Sequence, residues 1–147
     1  MRVRSWVALL LVVLSFQAAQ GAVTDPSAAL AERIQVTEAK LKSAKTRSVR
    51  LDVVNELQSY LDQSIKKLPE NNPNNATREL RASLWSYKGY LGDIDTKAFS
   101  DKKCPQYHAM IYMGFNPKGH SAVEVPSEAR TALKFLSMIC EDPKLAE

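Results

Sequence analysis

From Ser27 to Leu68 the chain runs for 42 residues without a glycine or a proline, so no residue of that stretch obliges a helix to stop. Leu30, Ile34, Leu41 and Ala44 recur at three- and four-residue steps, and Leu51, Val54, Leu57, Leu61, Ile65 and Leu68 repeat the pattern. Both halves read as amphipathic helix. Asp25-Pro26 supplies the start: an aspartate able to cap the helix, then a proline at the position where its missing N–H is harmless. On a straight helix the two stripes drift out of phase, whereas at 3.5 residues per turn they align, with Thr37 and Ser48 filling the gaps. The stretch is therefore either one supercoiled rod of about 63 Å or two helices broken near Lys45 to Val49, and a short chain packs more easily around two. A rod favours a dimeric coiled coil and a hairpin favours a monomer.

Pro69 ends this unit, and the asparagine-rich run Glu70 to Asn75 is a connector. A third helix follows, capped by Asn74 or Asn75, with Leu80, Leu84, Tyr87 and Leu91 as its apolar face and Gly92 as its end. Cys104-Pro105 opens a short fourth helix ending at Gly114, with a strand over Tyr107 to Met113 as the alternative, and Phe115 to Val125 is a loop. Pro126 and Glu128 start a last helix, whose face is Ala129, Leu133, Leu136, Ile139 and Cys140 and which stops before Pro143. The expected fold is all-α: a small bundle of about four main helices, the first two either one long helix or a broken pair, with an irregular segment tied in by a disulfide.

The amino terminus reads as an address rather than structure. Arg2 and Arg4 precede the apolar run Trp6 to Phe16, and Ala19-Gln20-Gly21 places small residues where a signal peptidase inspects them, so residues 1–21 are expected to leave by cleavage before Ala22. Eleven apolar residues fall short of the roughly 20 that span a bilayer. The remaining 126 residues, 22–147, form a single domain that keeps 18 of the 20 basic residues and all 16 acids, a net charge of +2. That balance is too mild for nucleic acid. In an exported chain, periplasmic or extracellular, the only two cysteines, Cys104 and Cys140, are expected to pair.

For chemistry, the chain carries no glycine-rich phosphate loop, no His-Glu-x-x-His, no Gly-x-Ser-x-Gly and no Cys-x-x-Cys-His. Its two histidines, His108 and His120, are the near-neutral acids or bases available, and His120 adjoins Ser121. A nucleophile and its base are a matter of spatial geometry, so this neighbour pair reads first as a solvated loop. Cys104, His108, His120 and Cys140 together would supply one Cys2His2 zinc site, an alternative that excludes the disulfide. His108 with Met110 or Met113 could hold a haem, although methionine at helical spacing is more often core filler. No resident cofactor is expected.

Seven of the nine aromatic residues beyond position 21 fall between 85 and 115: Trp85, Tyr87, Tyr90, Phe99, Tyr107, Tyr112 and Phe115, with Met110 and Met113 among them. Such rings are either the domain's core or a recognition surface, where tyrosine, tryptophan and methionine bring area and adaptable packing. Lys40, Lys42, Lys45, Arg47 and Arg50 spread over more than one helix face, which reads as a solvated surface rather than a focused anion site. Asn75-Ala76-Thr77 is an N-glycosylation sequon, relevant in a eukaryotic secretory route. The residues together point to an exported, non-enzymatic helical protein that binds another protein, as small inhibitors, immunity proteins and chaperones do, through Trp85 to Phe115 and the adjoining loop. The alternative is a carrier of a small ligand or a metal near His108, and a third reading is a hydrolase using His120.

Overall fold

The computed structural model describes residues 25–71 and 74–147. The expected signal segment lies outside the described residues. Five α-helices follow in chain order: α1 (Pro26–Ser43), α2 (Arg47–Lys67), α3 (Asn75–Gly92), α4 (Cys104–Phe115) and α5 (Ser127–Cys140), with short 3-10 turns at Asp101–Lys103 and Pro143–Ala146. The strand alternative for Tyr107 to Met113 is not taken, because that stretch is α4.

The long glycine-free stretch is broken, and the single rod does not form. α1 closes at Ala44, whose backbone is extended at ψ 123°, and Thr46 caps α2 by accepting a hydrogen bond from the N–H of Val49 at 3.4 Å. The break thus sits at the leading edge of the expected window, where an extended threonine can satisfy one of the donors a helix start leaves open. The starts of α1 and α3 follow the same local chemistry, whereas α4 and α5 begin without a side-chain cap. Asp25 accepts from Ser27 N–H at 3.1 Å and Asn74 from Ala76 N–H at 2.9 Å.

α5 is the central element, packed against each of the other four helices. Its buried side chains are Ala129, Ala132, Leu133, Phe135, Leu136 and Ile139, more than the single face expected from its periodicity. Around it gather Leu30 and Leu41 from α1, Val53, Val54, Leu57 and Leu61 from α2, Leu80, Leu84 and Leu91 from α3, and Tyr107 and Ile111 from α4. Thr37, one of the two gap-fillers of the α1–α2 stripe, is buried, and its hydroxyl donates to Arg33 O at 2.8 Å, while Ser48, the other, is exposed. Cys104 and Cys140 are joined, with their Cα atoms 6.2 Å apart, which ties the start of α4 to the end of α5.

The basic segment divides: Lys40, Lys42 and Lys45 are exposed, as a solvated face requires, whereas Arg47 and Arg50 are half-buried tethers. α5 ends without a basic residue of its own, and its last carbonyls are met instead by α2. Arg47 donates to Ile139 O at 2.9 Å and Arg50 to Met138 O at 3.1 Å, while Arg50 also reaches Ala44 O and the Glu141 carboxylate, and Arg47 pairs with Asp101. Guanidinium groups there satisfy orphaned carbonyls and oppose the negative end of the helix dipole. Lys40 pairs with Glu56, and Lys42 shares Glu38 with Lys134 of α5, so of the five cations Lys45 alone lacks an ion pair among the described residues.

Arg50→Ala is expected to lower stability by about 1–3 kcal/mol, the range for leaving buried carbonyls without donors, read from urea unfolding at pH 7. The hydrogen bond from Arg50 holds the Glu141 carboxyl below its usual value of 4.5. Because the folded value is depressed, this contribution is present above pH 4.5 and is lost as the pH falls through the lower folded value. The difference between the two proteins should therefore narrow below pH 4.5, leaving the part due to the two carbonyl bonds.

Candidate functional site

α4 is unlike the other helices in carrying no charged side chain over its twelve residues, Cys104 to Phe115. Its inward positions follow from helical phase: Cys104 is pinned by the disulfide, and Tyr107 and Ile111, three and seven residues on, point the same way and are buried. The outward positions include Met110, Tyr112 and Met113, exposed to 41, 36 and 63%. Lys102 and Lys103 precede this strip and Lys118 follows it, all exposed and without an ion pair among the described residues.

The aromatic cluster is split between core and surface. Tyr107 is core, 4% exposed and stacked on Phe99 with ring centres 5.5 Å apart, which removes it from the candidate contact residues. Tyr87, Tyr90 and Phe115 are half-buried against the core, and burial pushes both tyrosine hydroxyls up from their usual value. Phe115 lies between Tyr90, at 6.4 Å, and Tyr112, at 4.8 Å, so one edge of the strip is continuous with the packed interior. Gly114 permits that junction: a Cβ there would stand 2.9 Å from the Tyr90 ring. Trp85, 52% exposed, stands apart on α3, with the Lys88 ammonium 4.9 Å from its ring centre and Lys88 in turn paired with Asp62 at 2.7 Å.

The segment after α4, read from sequence as a plain loop, has an internal clasp. Asn116 is 4% exposed; its side-chain oxygen accepts from His120 N–H and its nitrogen donates to His120 O, both at 2.9 Å, and the same nitrogen reaches the Tyr112 hydroxyl at 3.3 Å. Gly119 takes the left-handed backbone, φ 66°, that this tight turn needs. One amide thus fixes the loop to the exposed face of α4.

The alternative sites are not assembled. Both cysteines of the Cys104, His108, His120 and Cys140 set are consumed by the disulfide, so no thiolate is left for zinc, and no group of three or more metal-ligating side chains comes together among the described residues. His108, Met110 and Met113 all stand on one helix, where no two of them can approach an iron from opposite sides. His108 instead lies beside the Tyr112 ring, at 6.3 Å. His120 is held through its backbone alone, and no hydrogen bond joins its imidazole to Ser121 or to a carboxylate among the described residues. Asn75 of the sequon is exposed at the first position of α3, where its side-chain oxygen accepts from Arg78. Among the described residues no helix is long and apolar enough to cross a membrane.

Comparison of the chain with family models, with curated proteins and with solved structures finds no match in any of the three.

Proposed function

We propose that this is an exported protein that works by binding another protein rather than by catalysis, and that it docks through the outward face of α4. The carrying observation is that face itself: a twelve-residue helix with no charge, presenting Met110, Tyr112 and Met113 to solvent. A surface helix normally turns a polar or charged side outward, and an aromatic and methionine strip in that place is the composition of a binding hot spot. Lys102 and Lys103 at one end and Lys118 at the other define the partner's chemistry: an apolar ridge flanked by acidic side chains, matching the strip in its middle and the lysines at its rim. The Asn116 clasp and the Cys104–Cys140 bridge hold the helix rigid, which lowers the ordering cost of association. Export is supported by that bridge, which persists in oxidising compartments, and by the signal-like first 21 residues.

A photo-crosslinking phenylalanine placed at Met113, and separately at exposed Val36 on α1, tests this in the protein fraction of the source cell's exporting compartment. Position 113 should give a discrete adduct with one identifiable protein and position 36 should not. That protein, purified, should bind the wild type and lose at least about 30-fold in affinity for Met113→Glu, as for a hot-spot residue. The same adduct from both positions, no adduct from 113, or unchanged affinity of the variant would overturn the reading.

A further inference from the structure

An open groove of about 500 Å³ lies between α2, the end of α3, the segment 93–97 and α4. That is within the size range of small-molecule sites, roughly 300–1,000 Å³. Half of its polar side chains are already engaged. The Gln58 amide donates to Leu91 O at 2.7 Å and Ile94 O at 3.1 Å and accepts from the Thr96 hydroxyl at 3.2 Å, which fixes the floor. Asp95 accepts from the N–H groups of Lys97 and Ala98, and Asp62 is paired with Lys88.

Five polar lining side chains have no hydrogen bond or ion pair among the described residues; Gln106 is neutral and exposed, and the other four are charged or buried. The Tyr107 hydroxyl is buried and has no hydrogen-bond partner, on a side chain only 4% exposed. The Asp93 carboxyl is partly buried and has neither a hydrogen bond nor an ion pair among the described residues. Lys97 and Lys103 stand exposed on the lining, likewise unpaired. A buried hydroxyl without a partner is rare in native proteins and points to something that completes it. A purely cationic ligand would answer Asp93 and be repelled by the two lysines, and a purely anionic one would face the reverse. A molecule carrying both signs answers all of them.

We propose that this groove binds a small zwitterion of the α-amino-acid type, its ammonium on Asp93, its carboxylate toward Lys97 and Lys103, the Tyr107 hydroxyl completing the polar contacts and Met110 offering an apolar wall. Burial pushes the Asp93 carboxyl up from its usual value, so the groove holds an acid that the fold itself disfavours in its charged form. A group kept against stability is what a binding site looks like. The site stands independently of the docking strip, although Lys103 and Met110 border both.

The test is an NMR titration of the disulfide-bonded protein with each proteinogenic α-amino acid in turn, with putrescine and succinate as single-sign controls. At least one amino acid should give saturable shifts at Thr96, Lys97 and Tyr107, and neither control should. Asp93→Asn and Tyr107→Phe should each weaken that binding about tenfold or more, the loss of one charge-assisted or buried hydrogen bond, with melting temperatures equal to or above the wild type. Met113→Glu should leave it unchanged, which keeps failure here distinct from failure of the docking strip. No saturable shift with any amino acid, equal binding of a control, or unaltered affinity in both variants would overturn the proposal.

Discussion

Replacing both cysteines, Cys104→Ser with Cys140→Ser, is expected to remove about 4 kcal/mol of stability and about 15 °C of melting temperature, while leaving most of the helix content at 25 °C in place. The magnitude follows from the 36-residue separation of the two half-cystines, which restricts the unfolded chain far more than the folded one. The folded state keeps Cys104 buried beside α5 with or without the bond, so the change is felt mainly by the denatured ensemble. Urea unfolding should accordingly show a lower midpoint together with a steeper dependence on denaturant, because the unlinked chain exposes more surface on unfolding. A fall of under about 1 kcal/mol would mean that the reduced, unfolded chain already keeps the two segments together.

A loss of similar size, with the opposite signature, is expected for Phe135→Ala. Phe135 is fully buried on the central helix, among the largest side chains the core encloses. Truncating it removes apolar surface and leaves a cavity that five packed helices cannot collapse, which destabilises by about 4 kcal/mol. Here the denaturant slope should stay as in the wild type, since the change is in the folded state. The two variants, measured side by side, separate what the core contributes from what the bridge contributes.

The elements that sequence describes well here are those decided by residues close to one another in the chain. Asp25-Pro26 and Asn74 mark helix starts because capping is satisfied within three or four positions. The α1–α2 break lies between two stripes that a supercoiled rod and a pair of helices accommodate equally, and the extended Thr46 cap is the local feature that separates them. By contrast, Ala132 and Phe135 are buried because α5 is surrounded, and no periodicity within α5 reports how many neighbours it has. Arg47 and Arg50 meet carbonyls 92 and 88 residues away, which a charge run in sequence cannot announce.

The candidate site divides the same way. Once Cys104 is taken as bridged to α5, the helical phase alone turns Tyr107 inward and Met110 and Met113 outward, so the split of the aromatic cluster was within reach of the sequence. The clasp by Asn116 had a weaker signal, an asparagine opening Asn-Pro-Lys-Gly, a residue type that bonds to nearby backbone in turns. The groove had none. Gln58, Asp93, Lys97 and Tyr107 come from segments that only tertiary packing brings to one place.

The bridge and the clasp also govern what a protease can do to this molecule. The covalent ring closed by Cys104 and Cys140 contains the exposed stretch from Pro117 to Ala122, and a trypsin-like cut after Lys118 falls inside both the ring and the Asn116–His120 clasp. Such a nick opens the backbone without freeing either fragment: the carboxy-terminal piece, which contains α5, stays bonded to α4 and to the helices packed around it. In an oxidising compartment this chain can be cut in that exposed loop and remain one folded body, and it is the later arrival of a reductant that turns the old nick into the loss of the central helix.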